Sequence, residues 1–264
     1  MNLQLTGKTA IITGATAGIG LAIAKTLASE GVIVTITGRS VDKLDDAAAQ
    51  ISTAAPGSSI KTIVADVSET QGVARLIEAQ PDADILVNNL GFYEAKPFAD
   101  ITDEDWFRMI DVNLMSGVRL SRHYFPRMLA KNWGRVIFMS SEVGAFTPPD
   151  MVHYGVSKSA QLAVSRGMAE LTKGTGVTVN SVLPAATRSE GIVNYLRQTA
   201  PRAGMTDTEI EAHFFNTYRP SSLIARMIEA EEVAAMVALL ASPLGAASNG
   251  AAVRVEGGTF RSIL

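Results

Sequence analysis

The sequence predicts a doubly wound α/β fold, with a mostly parallel sheet and helices on both of its faces. Three observations carry that prediction. Seven short apolar, β-branched runs recur along the chain, segments of helical spacing separate them, and a glycine-rich turn directly follows the first run. Strands buried on both faces read as near-continuous apolar runs, whereas half-exposed strands alternate. Strand and helix in such alternation imply parallel strands joined by helical crossovers.

In chain order the strand-like runs are TAIIT (9–13), VIVTIT (32–37), IKTIVA (60–65), DILVNN (84–89), RVIFMS (135–140), VTVNSVL (177–183) and AAVRVE (251–256). Helical spacing covers 19–30, 41–52, 68–79, 103–131, 151–173 and 231–241. Pro149 or Asp150 is expected to open the helix near 151, and Gly174 to close it. Thr102 with Asp105, and Thr206 with Glu209, have the spacing of a capping box. Residues 185–230 break the alternation. An insertion of that length in a compact domain is usually functional, so a lid of short helices is expected there, within one domain spanning 1–264.

Composition removes several chemistries. The 264 residues include no cysteine, which excludes disulfides, thiolate catalysis and cysteine-held zinc. His123, His153 and His213 lie thirty or more positions apart, so no metal site is expected. Neither a zincin H-E-x-x-H nor a nucleophile-elbow G-x-S-x-G occurs. The GKT at 7–9 fails as a phosphate loop, because Asn2 stands where its first glycine belongs. A net charge of −3 with scattered basic residues argues against nucleic acid as a partner. No apolar run approaches the ~18 residues of a membrane span, and no targeting signal is legible, so a cytoplasmic protein is expected.

The turn TGATAGIG (13–20) stands between the first strand and the first helix. Glycines there let the backbone approach a pyrophosphate, and the helix N-terminus offers unpaired N–H groups and a positive dipole end. Gly14, Thr16, Ala17, Gly18, Ile19 and Gly20 are therefore expected to hold a dinucleotide. An acidic residue at the end of the second strand would bind a ribose 2′-hydroxyl and favour NAD. Gly38 stands there instead, with Arg39 and Ser40 after it. A guanidinium suits a 2′-phosphate, so NADP(H) is expected over NAD(H). Asp66 and Val67 after the third strand, and Asn88 and Asn89 after the fourth, fall where adenine and its ribose should lie.

In MVHYGVSKSA (151–160), Tyr154 and Lys158 are four apart and so share one helix face. The pair is either an accident of packing or a tuned acid. Together the motifs resemble the short-chain dehydrogenase/reductases in their single-domain, Rossmann-like branch. Thr13, Gly14, Gly18 and Gly20 match that family's T-G-x-x-x-G-x-G, and NNLG (88–91) stands for its N-N-A-G. The resemblance implies a catalytic set of Asn113, Ser141, Tyr154 and Lys158, with Ser140 as the competing serine. It also implies that Leu90 and Gly91, Pro184, Thr187 and Ser189 line the cofactor, and that Lys158 bonds the nicotinamide ribose.

A tyrosine with pKa near 10 is almost wholly protonated at neutral pH, and a cation nearby can lower that value by about 1–3 units. Lys158 is expected to do this for Tyr154, with Asn113 holding a water that connects the lysine to solvent. Two replacements depart from the family pattern beside the cofactor: Leu90 for its alanine, and Ala185 for the glycine after Pro184. The resulting expectation is an NADP(H)-dependent oxidoreductase interconverting a carbonyl and a secondary alcohol. Its small-molecule substrate could be a 3-oxoacyl thioester, a steroid, a sugar or a xenobiotic ketone. The contrasting reading is a non-catalytic NADPH sensor. The family habit implies a homo-oligomer, tetramer or dimer. His153 is given no catalytic role, and the role of Glu142 is left open. Trp106, Phe107 and Met109 are expected in packing or subunit contact. Phe214, Phe215, Tyr218 and Met205 either shape the pocket or pack the lid.

Overall fold

The computed structural model describes residues 1–263. One parallel sheet runs through it, with strand order β3-β2-β1-β4-β5-β6-β7. The strands are β1 (Thr9–Ile12), β2 (Ile33–Gly38), β3 (Ile60–Val64), β4 (Ile85–Asn88), β5 (Gly134–Met139), β6 (Val177–Pro184) and β7 (Ala252–Val255). All seven lie within or beside the runs read from sequence. The helices between them are α1 (Gly18–Ser29), α2 (Val41–Ala54), α3 (Thr70–Ala79), α4 (Asp103–Ile110), α5 (Ser116–Ala130) and α6 (Val152–Glu170). After β6 come α7 (Glu190–Gln198), α8 (Asp207–Tyr218) and α9 (Ala230–Ala241).

The two-residue period of a strand sends alternate side chains into two cores. From β1, Ala10 and Ile12 join one cluster and Ile11 the other; from β4, Ile85 and Val87 part from Leu86 in the same way. α1, α2 and α9 cover the first face with Leu27, Ile51 and Val237, while α3, α5 and α6 cover the second with Leu76, Tyr124 and Ala169. Each large apolar side chain so buried contributes about 1.5–3 kcal/mol. This is why the strands read as unbroken apolar runs.

Both expected capping boxes form, at Thr102–Asp105 and Thr206–Glu209. Two details differ from expectation. The helix carrying Tyr154 is preceded by Met151 rather than by Pro149 or Asp150, with no side-chain cap, and it ends before Leu171 rather than at Gly174. The single helix expected over 103–131 is interrupted by a wide π turn at Asp111–Met115, centred on Asn113. Such turns free a carbonyl from the regular ladder and are frequent at functional sites. Of the two alternatives for the residues near 205–218, packing holds for Phe215 and Met205, which join Leu196, Ile210 and Met227 in a small core of the 185–230 segment itself.

The strand order reverses between β1 and β4. In open α/β sheets the crevice for a ligand opens at the carboxyl ends of the strands, at this reversal. Thr13, Arg39, Asp66, Asn89, Ser140 and Ala185 all follow directly or closely on strand ends there.

Candidate active site

The glycine turn is built to bring backbone close to a ligand. Gly14 has φ +62° and Gly18 φ +54°, a region that disfavours side chains. A Cβ on Gly20 would lie 2.5 Å from Asn89 Nδ2 and 2.7 Å from the Gly14 carbonyl. Ala17 precedes α1 with no side-chain cap, so no side chain of its own covers the first N–H groups of the helix. A cradle of this shape fits a pyrophosphate.

Asn89 and Thr13 hold the cradle to β4. Asn89 Nδ2 donates to the Thr13 carbonyl at 2.8 Å and to that of Gly14 at 3.1 Å, while Thr13 Oγ1 accepts from the Asn89 and Leu90 amides, both at 2.9 Å. Asn88 faces elsewhere: its Nδ2 donates to Ser121 Oγ on α5, at 3.2 Å. Asn89 braces the loop, its Nδ2 consumed by the Thr13 and Gly14 carbonyls, while Asn88 Nδ2 ties β4 to α5. Val67 is likewise buried in the second core, which leaves only its backbone facing the cleft.

At the adenosine end, Gly38 does more than make room. A Cβ there would fall 2.6 Å from Thr16 Cγ2, so a side chain at this position, acidic or not, would require Thr16 to move. Arg39 is 82% exposed, with Nη1 3.8 Å from Asp66 Oδ2. Ser40 Oγ caps α2 by accepting from the Lys43 amide. The two departures beside the cofactor are absorbed. Leu90 rests over Gly14, where a Cβ would come 3.4 Å from its Cδ1. Ala185 is not among the residues with positive φ, so no glycine is needed there. Beyond Pro184, Thr187 Oγ1 donates to the Ala185 carbonyl and Ser189 Oγ caps α7. Ser189 lies across the turn from Gly18.

The other end of the crevice gathers Asn113, Ser141, Tyr154 and Lys158. Ser140 Oγ donates to the Lys158 carbonyl at 2.9 Å and so docks α6 on β5, whereas Ser141 is the serine near enough to the Tyr154 phenol to favour its ionised form. The small residues around the pair are steric necessities: a Cβ on Gly155 would strike Thr147 at 2.4 Å, and one on Gly144 the Lys158 carbonyl carbon at 2.9 Å. Lys158 Nζ stands 5.7 Å from the Tyr154 ring centre. It donates to the Met139 carbonyl at 2.7 Å and to Gln161 Oε1 at 3.4 Å.

The electrostatics differ from the sequence expectation. Burial pushes the Tyr154 phenol well above its ordinary value, the Glu142 carboxylate adds in the same direction, and Ser141 opposes them. Burial lowers Lys158 to about 7. A lysine that is only partly charged at neutral pH does not make its neighbour acidic, and desolvation of the phenolate wins.

Gln161 was not singled out from sequence. Its Nε2 donates to the Asn113 carbonyl freed by the π turn, and its Oε1 receives Lys158. Gln161 thus links Lys158 directly to the Asn113 carbonyl. The Asn113 side chain is fully used within the fold: Oδ1 accepts from the Phe92 amide at 2.9 Å, and Nδ2 donates to the Phe92 carbonyl, to Ser157 Oγ and to Met109 Sδ. The only sequence signal for Gln161 was its place three residues after Lys158, on the same helix face. Met109 belongs to this network rather than to a subunit contact. His153 is buried against Trp106 and pairs with Glu94 at 3.3 Å, away from the Tyr154 hydroxyl's partners.

A parallel sheet reversing at β1/β4, a glycine cradle and a serine–tyrosine–lysine cluster define a nucleotide-binding oxidoreductase of the Rossmann type. Comparison with known proteins gives the family. The profile described as short chain dehydrogenase matches residues 8–200, and the chain belongs to that family. It is 45% identical over 263 residues to the uncharacterized oxidoreductase YvaG of Bacillus subtilis, and 48% identical over 267 residues to YvrD of the same organism. In both cases 100% of each chain is covered. The solved structure of L-sorbose reductase from Gluconobacter frateurii, complexed with NADPH and L-sorbose, is 27% identical with a TM-score of 0.91, covering 100% of both chains. The protein is thus an oxidoreductase acting on CH–OH groups. Among the described residues no helix is long and apolar enough to cross a membrane, and no metal-ligating cluster occurs.

Proposed function

We propose that the chain is an NADP(H)-dependent oxidoreductase that interconverts a carbonyl and a secondary alcohol, with Tyr154 as general acid and base. The observation that carries this reading is the gathering of Ser141 and Lys158 about Tyr154, with Lys158 Nζ 5.7 Å from the ring centre and Ser141 near enough to the phenol to favour its ionised form. When bound, the nicotinamide supplies the hydride. Gly14, Gly18 and Gly20 would hold the pyrophosphate, Asp66 and Val67 the adenosine end, and Leu90, Gly91, Pro184, Thr187 and Ser189 the nicotinamide half. Lys158 would hold the ribose. A Cβ on Gly91 would lie 3.4 Å from Lys158 Nζ, so this glycine keeps the approach to the ammonium clear.

In the reducing direction, Ser141 Oγ–H bonds the carbonyl oxygen and Tyr154 gives it a proton. Lys158, Gln161 and the Asn113 carbonyl hold the ammonium in line behind the tyrosine. The raised proton affinity keeps the phenol protonated ahead of reduction, and transfer is fastest when that affinity is brought back toward the working pH. The absence of an acid at Gly38 and the exposure of Arg39 support NADP(H). Residues 185–230 act as the lid of one domain. Phe107 on α4, 69% exposed, supports burial of that helix between copies in a homo-oligomer.

NADPH oxidation against a panel of simple ketones, hydroxyketones and 3-oxoacyl thioesters tests this reading. Wild type turns over at least one class, and Tyr154→Phe loses at least about 100-fold in kcat while still binding NADPH. Tight NADPH binding without turnover of any carbonyl would instead identify a sensor.

A further inference from the structure

Glu142 is 4% exposed, yet it lies beside the reacting groups rather than within either core. Its Oε2 accepts the Ser141 hydroxyl proton at 2.8 Å. Its Oε1 faces Arg219 Nε, at the end of α8, across 3.7 Å. That nitrogen is buried and has no hydrogen-bond partner, and 3.7 Å is too long for one.

An ion pair serving only to dock α8 would close to bonding distance. Arg188 and Glu211, on the same segment, do so at 2.8 Å. Burial raises the proton affinity of the Glu142 carboxyl above its ordinary value, with Ser141 and Arg219 opposing, and its charge also opposes ionisation of Tyr154. The arrangement makes chemical sense when a ligand supplies the missing donor. Ser141 cannot bond a substrate carbonyl while its proton is held by Glu142. Once the carbonyl oxygen takes that proton, Glu142 Oε2 loses its donor. A hydroxyl on the carbon next to the carbonyl would replace it, because its oxygen sits one carbon–carbon bond further along, as Oε2 sits beside Ser141 Oγ.

We propose that Glu142, held from the lid side by Arg219, is a specificity-determining residue that selects α-hydroxy carbonyl substrates, and vicinal diols in the reverse direction. The inference rests on the carbonyl-reductase reading above. A ketone lacking the hydroxyl leaves Glu142 Oε2 without a hydrogen-bond donor, and a site built for a hydroxyl rejects the analogue without it.

The test compares kcat/KM of wild type for matched pairs such as 1-hydroxy-2-butanone and 2-butanone with NADPH. The hydroxylated member is expected to be preferred at least about tenfold. Glu142→Gln and Arg219→Met should each reduce that ratio at least about fivefold, with NADPH fluorescence titration verifying that the variant is folded. As a readout independent of turnover, a vicinal diol should raise the Tm of the NADP+-bound protein more than the matching mono-alcohol does. Equal kcat/KM for both members overturns the inference and leaves the carbonyl-reductase reading intact, as does a ratio unchanged in Glu142→Gln. Turnover of no carbonyl at all overturns both.

Discussion

Gln161 ties Lys158 to Asn113 across two helices. One end of its amide takes the lysine at 3.4 Å and the other donates to the carbonyl that the π turn leaves free. A neutral amide in this place fixes the ammonium without adding charge to an already buried site. It makes Gln161 a positioning residue, acting on Tyr154 only through Lys158.

Gln161→Leu should lower kcat about tenfold while changing NADPH affinity much less. Loss of an acceptor disfavours the ammonium, so the basic limb of the pH–rate profile should move to lower pH. A profile of unchanged shape with reduced kcat would assign Gln161 to packing alone.

Lys158 also makes stability depend on pH. Its native pKa is lowered by burial to about 7, from an ordinary 10.5. Between those values the unfolded chain binds more protons than the native one, so this group destabilises progressively as pH falls from 10.5 to 7 and no further below. Compared with Lys158→Met, wild type should therefore gain stability on raising pH through that window, by up to about 1.4 kcal/mol per pH unit. Urea titrations of both proteins at several pH values measure the difference, and parallel curves would contradict the burial of the lysine.

Gly20→Ala should damage the nucleotide cradle. The added methyl would meet Asn89 Nδ2 at 2.5 Å and the Gly14 carbonyl at 2.7 Å, and neither can retreat without breaking the clip to Thr13. A cost of about 1–3 kcal/mol in stability is expected. NADPH affinity should fall at least tenfold by fluorescence titration.

Arg39→Asp should move coenzyme preference toward NADH. The exposed guanidinium makes only a long contact to Asp66, so its loss costs little stability. The ratio of kcat/KM for NADPH over NADH is the measurement, and a ratio that does not change would place 2′-phosphate recognition elsewhere.

What the sequence disclosed and what it hid divide along a physical line. The strands were legible because burial on both faces leaves a local signature, and Tyr154 with Lys158 because helical periodicity brings residues four apart together. Thr13 and the glycines were legible as a motif, but the work of Asn89 was not. Its role depends on β4 lying beside β1, a pairing 76 residues distant in the chain. The same holds for Gln161 with Asn113 and for Glu142 with Arg219. Each joins segments that only the tertiary fold brings together. The proton affinity of Tyr154 was misjudged because spacing reports the nearby lysine, whereas the buried Glu142 and the loss of solvent decide the outcome.

Leu196, Ile210, Phe215 and Met227 form a cluster separate from the two that flank the sheet. A segment with its own cohesion can detach as a cooperative unit without disturbing the layers beneath it. Amide protons of α7 and α8 should consequently exchange faster than those of β1 and β4, and by similar amounts to one another. Replacing residues 190–218 with a different sequence would then alter which molecules are admitted while leaving the sheet, the cradle and the tyrosine standing.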